Sequence, residues 1–198
     1  MSKEAVTLVP ADQISIRRKP SASIAVVGNP NSGKSTLFNR LTGMRQKTGN
    51  YPGVTVEKHI GIAKVGDASL ELIDLPGMFA LSAHSLEERI ASDVVLGRIA
   101  DVPRPGGILA VVDSTHLYQG LYLLQQLLEL GLPVVVALTM TDAAEASGLS
   151  VDADALKGAA WDGIFSVKET FLLGEAWAML HVGGEEVQLG EAVAASGG

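Results

Sequence analysis

The stretch that most constrains this chain is Gly28-Asn29-Pro30-Asn31-Ser32-Gly33-Lys34-Ser35, which satisfies the pattern G-x-x-x-x-G-K-[ST]. Its flanks give it meaning. Before it, Ser23-Ile24-Ala25-Val26-Val27 is a compact β-branched run with the length of a buried strand. After it, Ser35-Thr36-Leu37-Phe38-Asn39-Arg40-Leu41 has helical spacing. Strand, glycine-rich turn and helix in that order make a phosphate cradle. Gly28 and Gly33 let the backbone wrap around phosphate oxygens, and the N–H groups of Asn29 and of Asn31 to Thr36, with the helix N-terminus, supply positive potential. Lys34 offers a point cation to β- and γ-phosphates, and Ser35 offers a hydroxyl to Mg2+.

The rest of the chain alternates in the same way. Strands are predicted at 60–65, 69–73, 108–112 and 133–138. Helices are predicted at 85–96 and at 116–130, where Leu117, Leu121, Leu124 and Leu128 fall on one stripe. Such alternation implies an α/β fold, a doubly wound, mostly parallel sheet with helices on both faces and ligands at the carboxyl ends of the strands. The 198 residues suffice for one domain with a full core. Residues 1–20 are polar and aperiodic and read as a flexible leader, 21–182 as the domain, and the Gly/Ala/Glu-rich 183–198 as a flexible tail. Leu172, Leu173, Ala176, Trp177 and Leu180 trace a helical stripe suited to covering the last sheet edge.

A net charge of −7 argues against a nucleic-acid-binding surface. The chain has no cysteine, hence no thiolate metal site and no cysteine nucleophile. The N-terminal residues lack the apolar core of a signal peptide, and no apolar run approaches the roughly 20 residues of a membrane-spanning helix, so a cytoplasmic location without a span of its own is expected. His59, His84, His116 and His181 are scattered without ligand spacing, and Asp113 with Ser114 and Thr115 reads as a helix cap.

Which nucleotide the cradle takes depends on three further stretches. Asp74-Leu75-Pro76-Gly77 follows the strand Leu70-Glu71-Leu72-Ile73, so Asp74 emerges at a strand end where a carboxylate can hold the Mg2+ water shell, and Gly77 can bring an N–H to the γ-phosphate. Thr55, within Asn50-Tyr51-Pro52-Gly53-Val54-Thr55, lies in an irregular loop where a hydroxyl can ligate Mg2+ only when the γ-phosphate is present. Thr139-Met140-Thr141-Asp142 differs by one letter from the Asn-x-x-Asp loop with which GTPases read guanine.

Together, GNPNSGKSTLFNRLTG, NYPGVTVEK, DLPGMFALS, VVDSTHLYQGLYLLQQLLELGLPVVVAL and TMTD resemble the G domain of the ferrous iron transporter B (FeoB) family of P-loop GTPases, from Ser21 to about Lys157. The resemblance implies a cytosolic GTPase domain that binds GTP and GDP with Mg2+ and gates or regulates Fe2+ uptake. Its partner would be a membrane-embedded permease part or subunit, which would place the chain at the cytoplasmic face of the inner membrane. Lys34, Ser35, Thr55, Asp74 and Gly77 take the phosphate, Mg2+ and catalytic roles, with Gly53, Val54, Leu75 and Pro76 around them. In this family Asn31 is associated with K+ beside the phosphates. Met78 follows Gly77 where many GTPases have a water-orienting glutamine, so slow intrinsic turnover is expected.

In the base loop, Asp142 keeps the carboxylate that accepts from guanine N1–H and N2–H2. An asparagine at position 139 typically donates to guanine N7 and ties the loop to the P-loop; the shorter Thr139 weakens one contact, at about 0.5–1.5 kcal/mol. Met140 lies between them. Beyond residue 157 the resemblance fades, but Ser166-Val167-Lys168 stands at the interval expected of a second base-contacting loop. Two other readings compete: a non-hydrolysing GTP/GDP-binding module acting through a partner, and a ribosome-associated or tRNA-modifying GTPase. Net charge and the Tyr51-Pro52-Gly53-Val54-Thr55 segment argue against the latter.

Overall fold

The structure, a computed structural model, describes residues 22–65, 68–149, 151, 164–166, 179–182 and 185–188. In chain order the main elements are β1 (Ala22–Gly28), α1 (Lys34–Thr42), β2 (Gln46–Asn50), β3 (Glu57–Val65), β4 (Ala68–Asp74), α2 (Leu86–Leu96), β5 (Gly107–Asp113), α3 (Leu117–Leu128), β6 (Val134–Thr139), α4 (Thr141–Ala146) and β7 (Ile164–Ser166). The sheet runs β2-β3-β4-β1-β5-β6-β7. β4, β1, β5, β6 and β7 pair in parallel, and β2 and β3 add an antiparallel edge.

The doubly wound layering follows from alternation along the central strands. Ile24 and Val26 of β1 point to one face, where Leu37 and Phe38 of α1 pack with Leu70, Leu72, Leu109, Val111, Val135 and Ala137. Ala25 and Val27 point to the other, where Ile90, Val94 and Val95 of α2 and Leu123, Leu124 and Leu127 of α3 pack against Ile108, Ala110, Val112, Val134, Val136 and Leu138. β5 and β6 are buried along their whole length, which is why they read as continuous apolar runs rather than alternating ones. Each fully buried Phe, Leu or Ile contributes about 1.5–3 kcal/mol of transfer free energy.

Three elements differ from expectation. β2 is polar and exposed throughout, so periodicity carries no sign of it; antiparallel pairing with β3 makes it a strand. The buried face of α3 is Gly120, Leu123, Leu124 and Leu127, with Leu117, Leu121 and Leu128 flanking it half-buried. The rotation centres on Gly120, where an added Cβ would lie 2.5 Å from Val112 Cγ1, so the missing side chain lets α3 approach β5. The stripe predicted through Leu180 does not continue as a helix there, because Met179–Val182 form a strand, β8, paired antiparallel with β9 (Glu185–Gln188), which falls inside the expected tail. Leu172, Leu173, Ala176 and Trp177 lie outside the described residues.

Local signals place the helix ends. Ser85 caps α2 by accepting from Glu88 N–H, and the Glu88 carboxylate accepts from Ser85 N–H in return, a reciprocal box that satisfies two otherwise unpaired donors. Burial raises the Asp113 pKa. Hydrogen bonds from the Thr115 hydroxyl and amide and from His116 outweigh it, so the carboxyl stays below its usual range while capping the turn that opens α3. Among the described residues no helix is long and apolar enough to cross a membrane.

Candidate functional site

β1 and β4 lie side by side in parallel, with Val26 opposite Asp74, so the loops leaving their carboxyl ends start together. Lys34, the first residue of α1, forms an ion pair with Asp74 Oδ1, and Ser35 Oγ donates to Asp74 Oδ2 at 3.1 Å. The Lys34 and Asp74 side chains are only 10% and 9% exposed. A lysine, a hydroxyl and a carboxylate that stand 40 residues apart thus converge at the head of one helix. The Ser35 hydroxyl and Asp74 carboxylate supply adjacent hard oxygen donors, which fits Mg2+ with part of its water shell retained. The loop between β1 and α1 takes left-handed conformations at Asn31 (φ 64°) and Gly33 (φ 78°). Asn31 is exposed at its rim, while Ser32 Oγ is buried without a hydrogen-bond partner.

The segment after Asp74 is laced onto this loop. Leu75 N–H donates to Val26 O (3.2 Å), Met78 N–H to Gly28 O (3.1 Å), and Asn29 Nδ2 to Met78 O (3.1 Å). Gly77 packs so closely that a Cβ there would meet Pro30 N at 2.9 Å, which explains why no larger residue stands at that position. Met78 is fully buried and its side chain packs in the core with Leu75 and Tyr51. The position that holds a water-orienting glutamine in many GTPases therefore faces inward here. Farther along, Leu81 is held from two sides, its N–H donating to Gln126 Oε1 of α3 (2.9 Å) and its carbonyl accepting from Ser92 Oγ of α2 (2.9 Å). Sequence reasoning missed both clamps, because a lone Gln and a lone Ser on helices carry no motif.

Thr55 is exposed on the loop between β2 and β3, with Gly53 (φ 74°) and half-buried Val54 beside it. Tyr51 N–H donates to Val56 O (3.0 Å) and Val54 N–H to Tyr51 O (3.2 Å), closing the loop on itself. No described contact brings Thr55 to Ser35 or Asp74, so the structure positions its loop and not its hydroxyl. The anchor is Tyr51, 1% exposed, whose ring belongs to the same buried cluster as Leu75 and Met78. Its hydroxyl is buried without a partner; burial, with the Asp74 charge adding to it, pushes the phenol well above its ordinary pKa of 10.0. The sequence signal was there in principle: Tyr51 is the one aromatic in the polar stretch QKTGNYPG.

The predicted base loop follows β6. Thr139, the last residue of the strand, is 3% exposed, and its hydroxyl donates to Ser32 O at 2.7 Å, with Val112 O at 3.2 Å. Met140 turns the chain in a left-handed conformation (φ 55°) into α4, whose first turn carries Asp142, half-buried. Ser166 ends β7 and pairs in register with Leu138 of β6; Val167 and Lys168, the rest of the predicted second base-contacting stretch, lie outside the described residues.

Comparison with known proteins fits this geometry. The family model described as "Ferrous iron transport protein B" matches residues 22–160. The Fe(2+) transporter FeoB of Salmonella typhimurium is 48% identical over 138 residues, covering 68% of this chain and 17% of that protein. The crystal structure of the G domain of the T. maritima FeoB iron transporter superposes with a TM-score of 0.66 at 36% identity, covering 74% of this chain and 87% of that one. A mutant of S. thermophilus NFeoB bound to mGDP gives 0.67 at 41% identity, covering 74% of this chain and 54% of that one. The chain thus spans under a fifth of the length of the transporter it matches.

Proposed function

Because the chain belongs to the ferrous iron transport protein B family, we propose that residues 22–149 and the strand at 164–166 form a Mg2+-dependent GTPase module that regulates Fe2+ uptake through a membrane-embedded permease partner. One observation carries the reading: Lys34 and Ser35 meet on Asp74 at the carboxyl ends of two parallel strands, beside the glycine-rich loop that joins β1 to α1.

The division of labour follows from the residues. Lys34 leaves Asp74 for the β- and γ-phosphates when nucleotide arrives, exchanging one anionic partner for another within a nearly buried site. Ser35 and Asp74 hold Mg2+, which supplies charge neutralisation on the phosphate oxygens when bound. Asn31, exposed at the loop rim, contributes an amide oxygen for a weakly hydrated K+. Thr55 and Gly77 close on the γ-phosphate, the former swinging in on the loop that Tyr51 anchors. Asp142 reads the guanine edge, and Ser166-Val167-Lys168 completes the base site. With Met78 packed in the core, no side chain at that position orients water, so intrinsic turnover is slow.

The test is a competition of GDP, XDP and ADP against a fluorescent guanine nucleotide on the chain and on Asp142→Asn. Guanine preference in the wild type and a shift toward xanthine in the variant are expected, because the amide presents a donor that the C2 carbonyl of xanthine accepts. Unchanged guanine preference in Asp142→Asn would remove the base loop from its role.

A further inference from the structure

Thr139 sits buried where β6 ends, and its hydroxyl lies 2.7 Å from Ser32 O and 3.2 Å from Val112 O. Both neighbours are backbone carbonyls, which only accept. A hydroxyl has one proton to give, whereas a side-chain amide has two. An asparagine at this place can therefore serve the P-loop and a base together, but a threonine serves one of them. Turning the Thr139 proton toward a base would leave the carbonyl of Ser32, itself 1% exposed, without its donor, and an unpaired buried carbonyl is costly. Guanine N7 is an acceptor and is read only by a donor.

We infer that the guanine site of this chain is blind to N7: Thr139 spends its single proton on holding the base loop to the phosphate loop, and guanine is recognised along the N1–H and N2–H2 edge by Asp142. The inference rests on the guanine-nucleotide reading and specifies what that site discriminates. It makes Thr139 a positioning residue that acts on the nucleotide through the P-loop. Adenine remains excluded, because it offers Asp142 neither of the two donors. A guanine nucleotide whose N7 is replaced by C–H is accepted.

The experiment is a competition of GDP, 7-deaza-GDP and ADP against a fluorescent guanine nucleotide on the full chain, Thr139→Asn and Thr139→Val. In the wild type, 7-deaza-GDP should bind within about twofold of GDP, because no contact to N7 is there to lose, and both far tighter than ADP. Thr139→Asn should prefer GDP over 7-deaza-GDP by roughly fivefold to tenfold, the worth of one regained neutral hydrogen bond. Thr139→Val should weaken GDP and 7-deaza-GDP by the same factor. Wild-type discrimination against 7-deaza-GDP of about tenfold or more would overturn the inference, as would a Thr139→Val that weakens GDP and spares 7-deaza-GDP. ADP binding as tightly as GDP is a different failure, that of the guanine reading itself. Should the valine variant not fold, the wild-type and asparagine arms decide.

Discussion

The Thr139 hydroxyl donates to the Ser32 carbonyl across 107 residues of sequence, joining the end of β6 to the glycine-rich turn between β1 and α1. The bond has the ordinary O–H···O length, 2.7 Å, and both residues are buried. Thr139→Val keeps the shape and removes the proton, so it should destabilise the nucleotide-free chain by about 1–3 kcal/mol, the penalty of a buried carbonyl left unpaired. Urea unfolding of wild type and variant without nucleotide measures this. Equal stability would mean that the two loops are not tied by this bond.

Met78 faces the core, so installing the glutamine found in other GTPases should not produce their chemistry. Met78→Gln buries an amide among Leu75, Tyr51 and Val56, and is expected to lower stability by about 2–4 kcal/mol without raising the rate of GTP hydrolysis. A variant that folds as well as wild type and turns over faster would show that position 78 reaches the substrate.

Tyr51 links the Thr55 loop to the segment after Asp74 while leaving its hydroxyl unpaired. At neutral pH, Tyr51→Phe should be neutral to stabilising by about 1 kcal/mol, because it removes a buried polar atom with no partner. At alkaline pH the sign is set by the raised phenol pKa: the unfolded chain releases this proton near its ordinary value of 10.0, while the folded chain keeps it. Above about pH 10 the native state then binds more protons than the unfolded one and stability falls as pH rises. Denaturation at pH 8 and at pH 10.5 should show a steeper loss for wild type than for Tyr51→Phe; parallel losses would contradict the burial of this hydroxyl.

Much of the phosphate site was legible because its parts are constrained twice, by chemistry and by local chain geometry. Gly28 to Ser35 stands between a strand and a helix, and Asp74 ends a strand, so residue type and position point the same way. The central strands were legible because burial on both faces leaves continuous apolar runs. β2 was not, since an exposed edge strand made of Gln46-Lys47-Thr48-Gly49-Asn50 owes its existence to a partner and carries no pattern of its own. The bond from Thr139 to Ser32 was half legible. Its type announced a weakened base contact, but only the structure shows that the proton goes to Ser32. The clamp of Gln126 and Ser92 on Leu81 is a long-range arrangement of single side chains, and nothing local foretells it.

If the Asn31 amide helps to hold K+, GTP hydrolysis should be faster in K+ than in Na+ at constant ionic strength, and Asn31→Ala should remove most of that difference, since a fixed cation stands where other GTPases insert an arginine worth about 10³–10⁵ in rate. Equal rates in the two salts would dismiss the cation and leave the phosphate loop as described.

Under the proposed function, the convergence of Lys34 and Ser35 on Asp74 makes a GTP-hydrolysing centre. Phosphate release from GTP and from ATP, followed under single-turnover conditions in Mg2+ and K+ on wild type and Lys34→Ala, tests it most directly. Slow release from GTP, none above background from ATP, and loss of both binding and release in Lys34→Ala are the predicted results, the last because a charge-assisted phosphate contact worth about 3 kcal/mol is gone. Release from GTP no faster than in Lys34→Ala, or equal release from ATP, would contradict it.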